Sequence, residues 1–293
     1  MKVLETQIYA NYLAQLNDFK GAPDQVGRVA RMDLLLEYYE CFCFDGFGTF
    51  YLRDTVYDDS QYIIEKIRSA GKPIRLVSNT AARTGQELWE DLQTKGLDFG
   101  LTEIITSGDM LLDINLKLGL DKAFLFGRKE SESVLGQAQI RSVSEDESRV
   151  VIVTSHPENA EMGEEWIERA SRALSEKDSL LIVLNPDVCA PVLNEPKINV
   201  SGAWAHKLSQ HNQGKTIYVG KPFPLIYKKA MQSFYPVLGS VLMVGDTLGT
   251  DILGATHVGI DSALLLRGNT VADEYAQDIA DLGFQPTYVL ESL

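Results

Sequence analysis

Several polar side chains in this sequence stand immediately after short apolar runs. Asp45 follows 40–44, Ser78 and Asn79 follow 73–77, Lys221 follows 216–220, and Asp246 follows 241–245 with Asp251 about one helical turn beyond. In an open parallel sheet, ligands bind outside the carboxyl ends of the strands, near a topological switch point, so residues in these positions converge on one edge. Their combined chemistry is coherent. A carboxylate such as Asp45 can attack phosphorus and form an acyl phosphate that water later opens. Asp45 and Asp246 together can hold Mg²⁺, a hard cation that takes oxygen ligands. The Ser78 hydroxyl and the Asn79 N–H can bind phosphoryl oxygens, and Lys221 can supply positive charge to the transition state.

The elements that must position these residues are legible as a pattern. From Glu40 onward, apolar runs alternate with segments of helical period, the signature of a parallel sheet built from βαβ units. Strands are expected over 40–44, 73–77, 103–106, 216–219, 241–244 and 262–266, and helices over 60–70, 86–95, 225–234 and 249–257. Between 117 and 214 the same alternation recurs on its own, with strands over 123–127, 150–154 and 180–184 and an amphipathic helix over 160–174. This reads as a smaller α/β module inserted into the larger one. The stretch 128–149, rich in Ser, Glu and Gln, reads as weakly ordered. Residues 1–39 read as a helical extension, with helices over 4–16 and 26–36 and no chemistry of their own.

Composition narrows the partners. A chain of 293 residues with 45% hydrophobic content has ample material for a core and an insertion. Lys+Arg 27 against Asp+Glu 41 gives a net charge of -14, which repels polyanions and argues against nucleic acid and anionic membrane surfaces. A small phosphate ester would need its charge offset locally. Glu5 and Asp18 interrupt the apolar residues at the start, so no export signal is read there, and no stretch has the length of a membrane span. Cys41, Cys43 and Cys189 are an odd set without a His or Cys cluster, which suits reduced thiols and a cytoplasmic location. Gly46-x-Gly48 is followed by Tyr51 where a dinucleotide fingerprint needs glycine, and Ser209 stands where a P-loop ending at Gly214-Lys215-Thr216 needs its first glycine.

Taken in order, the polar sites resemble a known set. Asp45 with Gly48-Thr49, then Val77-Ser78-Asn79, then Gly220-Lys221-Pro222, then Gly245-Asp246-Thr247-Leu248-Gly249-Thr250-Asp251 resemble the four motifs of the haloacid dehalogenase-like hydrolase superfamily. The insertion between the second and third motifs, with Leu184-Asn185-Pro186-Asp187 inside it, is similar to the NagD-like branch of sugar and nucleotide phosphatases. The resemblance runs from about Glu40 to the C-terminus. It implies an α/β fold with a Rossmann-like parallel-sheet core over 40–114 and 206–293 and an inserted α/β cap domain over 115–205. It implies Mg²⁺ dependence and an aspartyl-phosphate intermediate, with Asp45 and Lys221 catalytic. Asp45, the backbone carbonyl of Phe47, Asp246 and Asp251 become the metal ligands. Gly48, Thr49, Ser78, Asn79, Asn185 and Asp187 become phosphate or substrate contacts. The implied partner is a small phosphorylated metabolite, and the resemblance allows a homodimer through the cap.

Phe47 departs from that pattern. Phosphatases of the superfamily normally carry a second aspartate there, which protonates the leaving alkoxide and then activates water. General acid–base help contributes roughly 10² to 10⁴ in rate. Its loss leaves three courses: a substrate with a good leaving group, an acid borrowed from the cap such as Asp187, or a protein that binds a phosphorylated ligand without turnover. The aromatic also resembles the metal-independent dehalogenases, but Asp246 and Asp251 match a metal-binding fourth motif. Simpler roles exist for each residue. Asp45 could cap a helix, Ser78-Asn79 could do the same, Asp251 could anchor the Asp246 loop, and Arg83 could pair with a carboxylate. Asn185 and Asp187 fit a turn in the cap as well as a substrate contact.

Overall fold

The computed structural model describes residues 2–16, 25–235 and 239–293. In chain order the first elements are α1 Lys2–Gln15, β1 Gly27–Arg31, β2 Cys41–Phe44, the short pair β3 Tyr51–Leu52 and β4 Thr55–Val56, α2 Ser60–Ser69, β5 Ile74–Ser78, α3 Gly85–Thr94, β6 Ile104–Thr106 and α4 Met110–Leu118. A second run comprises β7 Lys122–Phe126, α5 Glu132–Gln137, β8 Arg141–Ser142, β9 Val150–Val153, α6 Ala160–Ala173, β10 Leu180–Val183, the hairpin β11 Cys189–Val192 and β12 Glu195–Asn199, α7 Ser201–His211 and β13 Lys215–Tyr218. The chain ends with α8 Pro224–Ser233, β14 Val241–Gly245, a π-helical turn Leu248–Ile252, α9 Leu253–Val258, β15 Asp261–Leu265, α10 Tyr275–Leu282 and β16 Tyr288–Ser292.

The fold is α/β, a Rossmann-like parallel-sheet core carrying a second α/β unit. The larger sheet has the order β1-β16-β15-β14-β2-β5-β6, parallel throughout. From β2 the chain winds outward through β5 and β6, and later through β14, β15 and β16 on the other side. The switch point therefore lies between β2 and β14, and their carboxyl ends deliver Asp45 and Asp246. The alternation within β2 explains its burial. Phe42 and Phe44 enter one apolar cluster with Ile63, Ile67, Leu88 and Leu92 of α2 and α3, while Cys41 and Cys43 enter another with Met110, Ile114, Ile226 and Tyr227 of α4 and α8. A strand covered on both faces must be apolar at every position, so Asp45 is the first residue free to be polar.

The smaller sheet has the order β13-β10-β9-β7-β8, also parallel. Phe126, Val151, Val153, Leu181 and Val183 pack on one side with Ala170 of α6 and Leu208 of α7. On its other side Ala123, Ile152 and Ile182 join the cluster that holds Cys41 and Cys43. The two units thus share apolar packing.

Three expectations are corrected. The strand expected in the larger sheet over 216–219 forms as Lys215–Tyr218 but pairs with Leu180–Val183 in the smaller sheet. The division between sheets accordingly falls after 218, not at 205. Of the extension over 1–39, α1 is helical and 17–24 lie outside the described residues, but the helix expected over 26–36 is not there. Gly27–Arg31 instead pairs with Tyr288–Ser292 at the sheet edge, followed by a short 3₁₀ turn Met32–Leu35. The open edge of β16 offers unpaired backbone groups, and pairing with them outweighs local helical spacing. The stretch 128–149 is ordered: α5 inserts Val134 and Leu135 into the core, and the Asn115 amide donates to the carbonyls of Leu120 and Ala138 at 2.9 and 2.8 Å. Val134, Leu135, Ala138 and Ile140 together dock this otherwise polar segment.

Candidate active site

The turn after β2 brings Asp45 to the floor of a cavity of about 360 Å³. The Asp45 N–H donates to the Val244 carbonyl at 2.9 Å, locking the turn to β14. Phe50 and Gly48 close it with N–H bonds to the carbonyls of Gly46 and Tyr51, both at 2.8 Å. Gly48 has φ 88, and a Cβ there would lie 2.0 Å from Asp246 Oδ2, so only glycine lets this turn pass over the fourth-motif carboxylate. Phe47 lines the cavity wall edge-on to Tyr51, with ring centroids 5.9 Å apart. Thr49 is fully buried, with its hydroxyl oxygen left without a hydrogen-bond partner, and neither it nor Gly48 lines the cavity. Both shape the turn.

Around Asp45 the charges are concentrated. The Lys221 ammonium donates to Asp45 Oδ1 and lies 2.8 Å from Asp251 Oδ1. Lys221 is 1% exposed; burial alone would lower its pKa, but the charges of Asp251, Asp45 and Asp187 outweigh that and hold it protonated. Asp246 is held by the Asn269 N–H at 2.7 Å and the Thr247 hydroxyl at 3.1 Å. The carboxyl of Asp246 is pushed well up, by burial first and then by the charges of Asp45 and Asp251. Asp251 accepts the Thr247 N–H at 3.1 Å, so it both anchors the Asp246 loop and orients Lys221. Burial raises its carboxyl too, against the pull of Lys221.

One oxygen each from Asp45, Asp246 and Asp251 lie within 4.8 Å of one another. Three buried carboxylates share a single ammonium, which leaves an uncompensated negative charge that the interior tolerates poorly. A hard divalent cation with oxygen ligands is the species this donor set fits.

The second motif acts as a brace. The Asn79 side chain accepts the Lys221 N–H at 2.7 Å and donates to the Lys221 carbonyl at 3.0 Å and to Asp187 Oδ1 at 2.8 Å. Its amide is therefore committed to protein groups. Ser78 Oγ lies 3.0 Å from Thr80 Oγ1 and lines the cavity. In the smaller unit, Asn185 Oδ1 accepts the Asp187 N–H at 2.8 Å, a self-bonded turn that places Asp187 over Asn79. Burial pushes the Asp187 carboxyl up to about 6, opposed by Lys221 and reinforced by Asp45.

The cavity also contains groups not foreseen: Tyr51, Arg53, Thr80, Lys95, His156 and Asn269. Asn269 follows β15 and was accessible to the strand-end rule that gave Asp45. His156 lies past β9, at the corresponding end of the smaller sheet. Its imidazole is pushed down to about 4 by burial and by Arg128, whose Nη2 lies 3.0 Å from Nε2. Lys95 sits at a helix C-terminus and carried no signal.

A parallel sheet with acidic groups converging at its switch point, a buried lysine on the first of them and an α/β unit above defines a hydrolase of the haloacid dehalogenase type. The comparisons agree. Residues 42–141 match the haloacid dehalogenase-like hydrolase family, and residues 218–293 match the HAD-hydrolase-like family. An acid sugar phosphatase of Staphylococcus haemolyticus is 25% identical over 88% of this chain and 95% of its own. A p-nitrophenyl phosphatase of Archaeoglobus fulgidus is 25% identical with a TM-score of 0.73, covering 87% of this chain and 96% of its own. A possible sugar phosphatase of Cytophaga hutchinsonii shares the fold with a TM-score of 0.80 at 24% identity, covering 92% and 98%. The chain belongs to the haloacid dehalogenase-like hydrolases, in their NagD-like phosphatase branch.

Proposed function

We propose that this enzyme is a Mg²⁺-dependent phosphohydrolase of small phosphorylated metabolites, sugar phosphates among them, working through an aspartyl-phosphate on Asp45. The observation that carries the reading is the Asp45 carboxylate held by buried Lys221 on the floor of the cavity. An Asp45 oxygen attacks phosphorus, the bond to the leaving oxygen breaks, and Lys221 stabilises the charge that spreads over the phosphoryl oxygens. The Ser78 hydroxyl donates to one of those oxygens. Asp187, facing the cavity with its carboxyl raised to about 6, takes over the task that Phe47 cannot perform. It gives its proton to the departing alkoxide and then removes one from the water that attacks phosphorus, which returns Asp45 and releases inorganic phosphate. Asp45, Asp246 and Asp251, joined by the Phe47 carbonyl, would hold Mg²⁺, which would supply charge neutralisation to the phosphoryl group.

The names of the relatives support a sugar phosphate or aryl phosphate substrate. The cavity is sized for a metabolite, and the net charge of -14 disfavours nucleic acid. No described helix is long and apolar enough to cross a membrane, and the three cysteines are buried free thiols, which suits the cytoplasm. Phe47 favours one other reading, a protein that binds a phosphorylated ligand without turnover. The deciding test is phosphate release from p-nitrophenyl phosphate and a panel of sugar phosphates, in Mg²⁺ or EDTA, for wild type and Asp45→Asn. Metal-dependent release lost in Asp45→Asn supports the phosphatase. No release from any ester by wild type overturns it.

A further inference from the structure

The N-terminal helix α1 lies outside the residues that match the family, yet it reaches three segments of the site. Tyr9 and Tyr12 are 2% and 1% exposed, so their hydroxyls must find partners inside the protein. The Tyr12 hydroxyl donates to the Pro186 carbonyl at 3.0 Å, one residue before Asp187. The Tyr9 hydroxyl accepts the Val188 N–H at 3.5 Å, one residue after it. The Tyr9 ring lies against Gly249, where a Cβ would come within 2.2 Å of it, in the turn that carries Asp251. The Tyr12 ring packs edge-on to Tyr218 and Phe223, which stack on each other at 4.6 Å and flank Lys221 in sequence. Ion pairs tie the same helix to both units: Glu5 to Lys197 of β12 at 3.9 Å, and Lys2 to Glu274 and to Asp278 of α10, each at 3.0 Å.

A helix recruited only to cover apolar surface would be served by phenylalanine. Two buried tyrosines with hydroxyls on either side of one catalytic residue do something more specific. We infer that α1 is a positioning element of the active site, in which Tyr9 and Tyr12 clamp the 186–188 turn and so fix Asp187 over Asn79 and Lys221. This rests on the reading of Asp187 as the acid. The clamp acts on proton delivery and leaves the attack by Asp45 to the core.

The test uses the full chain with Mg²⁺ and compares Tyr9→Phe, Tyr12→Phe and the double variant on p-nitrophenyl phosphate and on glycerol phosphate. Each lost hydroxyl is expected to lower kcat on the alkyl ester about five-fold with little change in KM, and to change the aryl ester by less than about two-fold. Added to Asp187→Asn, Tyr12→Phe is expected to cost nothing further, because the group it positions is gone. Equal losses on both esters, or a full additive loss in the Asp187→Asn background, would overturn the inference. Hydrogen exchange separates it from the phosphatase reading. Faster exchange at the Asp187 and Val188 amides in the double variant supports the clamp even if no ester is turned over, and unchanged exchange there sinks it.

Discussion

Two turns face each other across the floor of the cavity, and they are built differently. The turn after β14 is polar throughout its functional part: Asp246, Thr247 and Asp251 bond to one another and to Asn269 beyond β15, and three of these four bonds end on a carboxylate. The turn after β2 carries a single carboxylate, and its next inward-facing position is Phe47, packed on Tyr51. One turn gathers carboxylates and the groups that hold them, whereas the other presents an aromatic ring where the proposed reaction needs an acid. The acid assigned to that task in the proposed reaction, Asp187, lies in the other unit, braced by the same asparagine that braces Lys221. In the proposed reaction, attack joins Asp45 of the larger sheet to Lys221, which follows a strand of the smaller one, and protonation would depend on how the Asp187 turn is held against them.

Breaking the polar turn should have the largest effect. Asp246→Asn is expected to lower Mg²⁺-dependent phosphate release by about 10³-fold or more. Its stability signature is the sharper check. A carboxyl whose folded pKa is raised above its ordinary 3.8 destabilises the fold once ionised, so metal-free wild type loses stability as pH rises from about 4. In EDTA at neutral pH the variant should melt above wild type; in saturating Mg²⁺ the order should reverse, since ligand at 100 times its Kd stabilises by about 2.7 kcal/mol. Thermal melts in both conditions would break the metal assignment if Mg²⁺ stabilised the two proteins equally.

The next effect is on the other side of the comparison. Asp187→Asn should reduce alkyl ester turnover about 10²-fold and aryl ester turnover much less. An acid must be protonated to act, so wild-type alkyl turnover should fall as pH rises through about 6, and the variant should lack that limb. A pH–rate profile identical in the two would return the proton to another donor. Phe47→Asp restores the missing carboxylate and should raise alkyl turnover about ten-fold while lowering the melting temperature in EDTA, because it adds charge beside Asp45 and removes the packing on Tyr51. If instead alkyl turnover falls, the aromatic wall is a substrate contact and not merely the absence of an acid.

These positions differ in how openly the sequence announced them. Asp45 and Asp246 were legible because buried parallel strands are apolar to their last residue; a lone carboxylate past such a run is more often a cap or turn residue, and it was the company of polar residues at the other strand ends that singled these out. Lys221 was legible from Gly220 and Pro222, although its strand belongs to the smaller sheet, since a motif records what a residue is and not which sheet delivers it. Thr49 shows a different limit: its type suggested phosphate, and the structure buries it with its hydroxyl oxygen unpartnered, outside the cavity lining. The pairing of Gly27–Arg31 with Tyr288–Ser292 spans nearly the whole chain, and no local period encodes it. Tyr9 and Tyr12 read as ordinary apolar positions of a helix because their partners, Val188 and Pro186, lie far away in sequence.

The smallest expected effect comes from a carboxylate of the opposite kind, and it tests whether the destabilising charge is peculiar to the site. Glu145 of the smaller unit, itself largely covered but paired with exposed arginines, accepts from Arg169 Nε at 3.0 Å and from Arg172. A bond from its own backbone N–H, followed by these two arginines, holds its carboxyl down at about 2. A depressed pKa stabilises the fold above the ordinary value of 4.5, and that contribution disappears as pH falls toward 2. Because Arg169 and Arg172 are 37% and 48% exposed, solvent screens the pairs and Glu145→Gln should cost only about 1 kcal/mol at neutral pH. Its melting temperature should therefore lie below wild type at pH 7 and converge with it in acid, with ester turnover unchanged. Asp246→Asn in EDTA should show the reverse dependence. If both substitutions moved stability in the same direction with pH, the distinction between a carboxylate held by its partners and one crowded by like charges would fail.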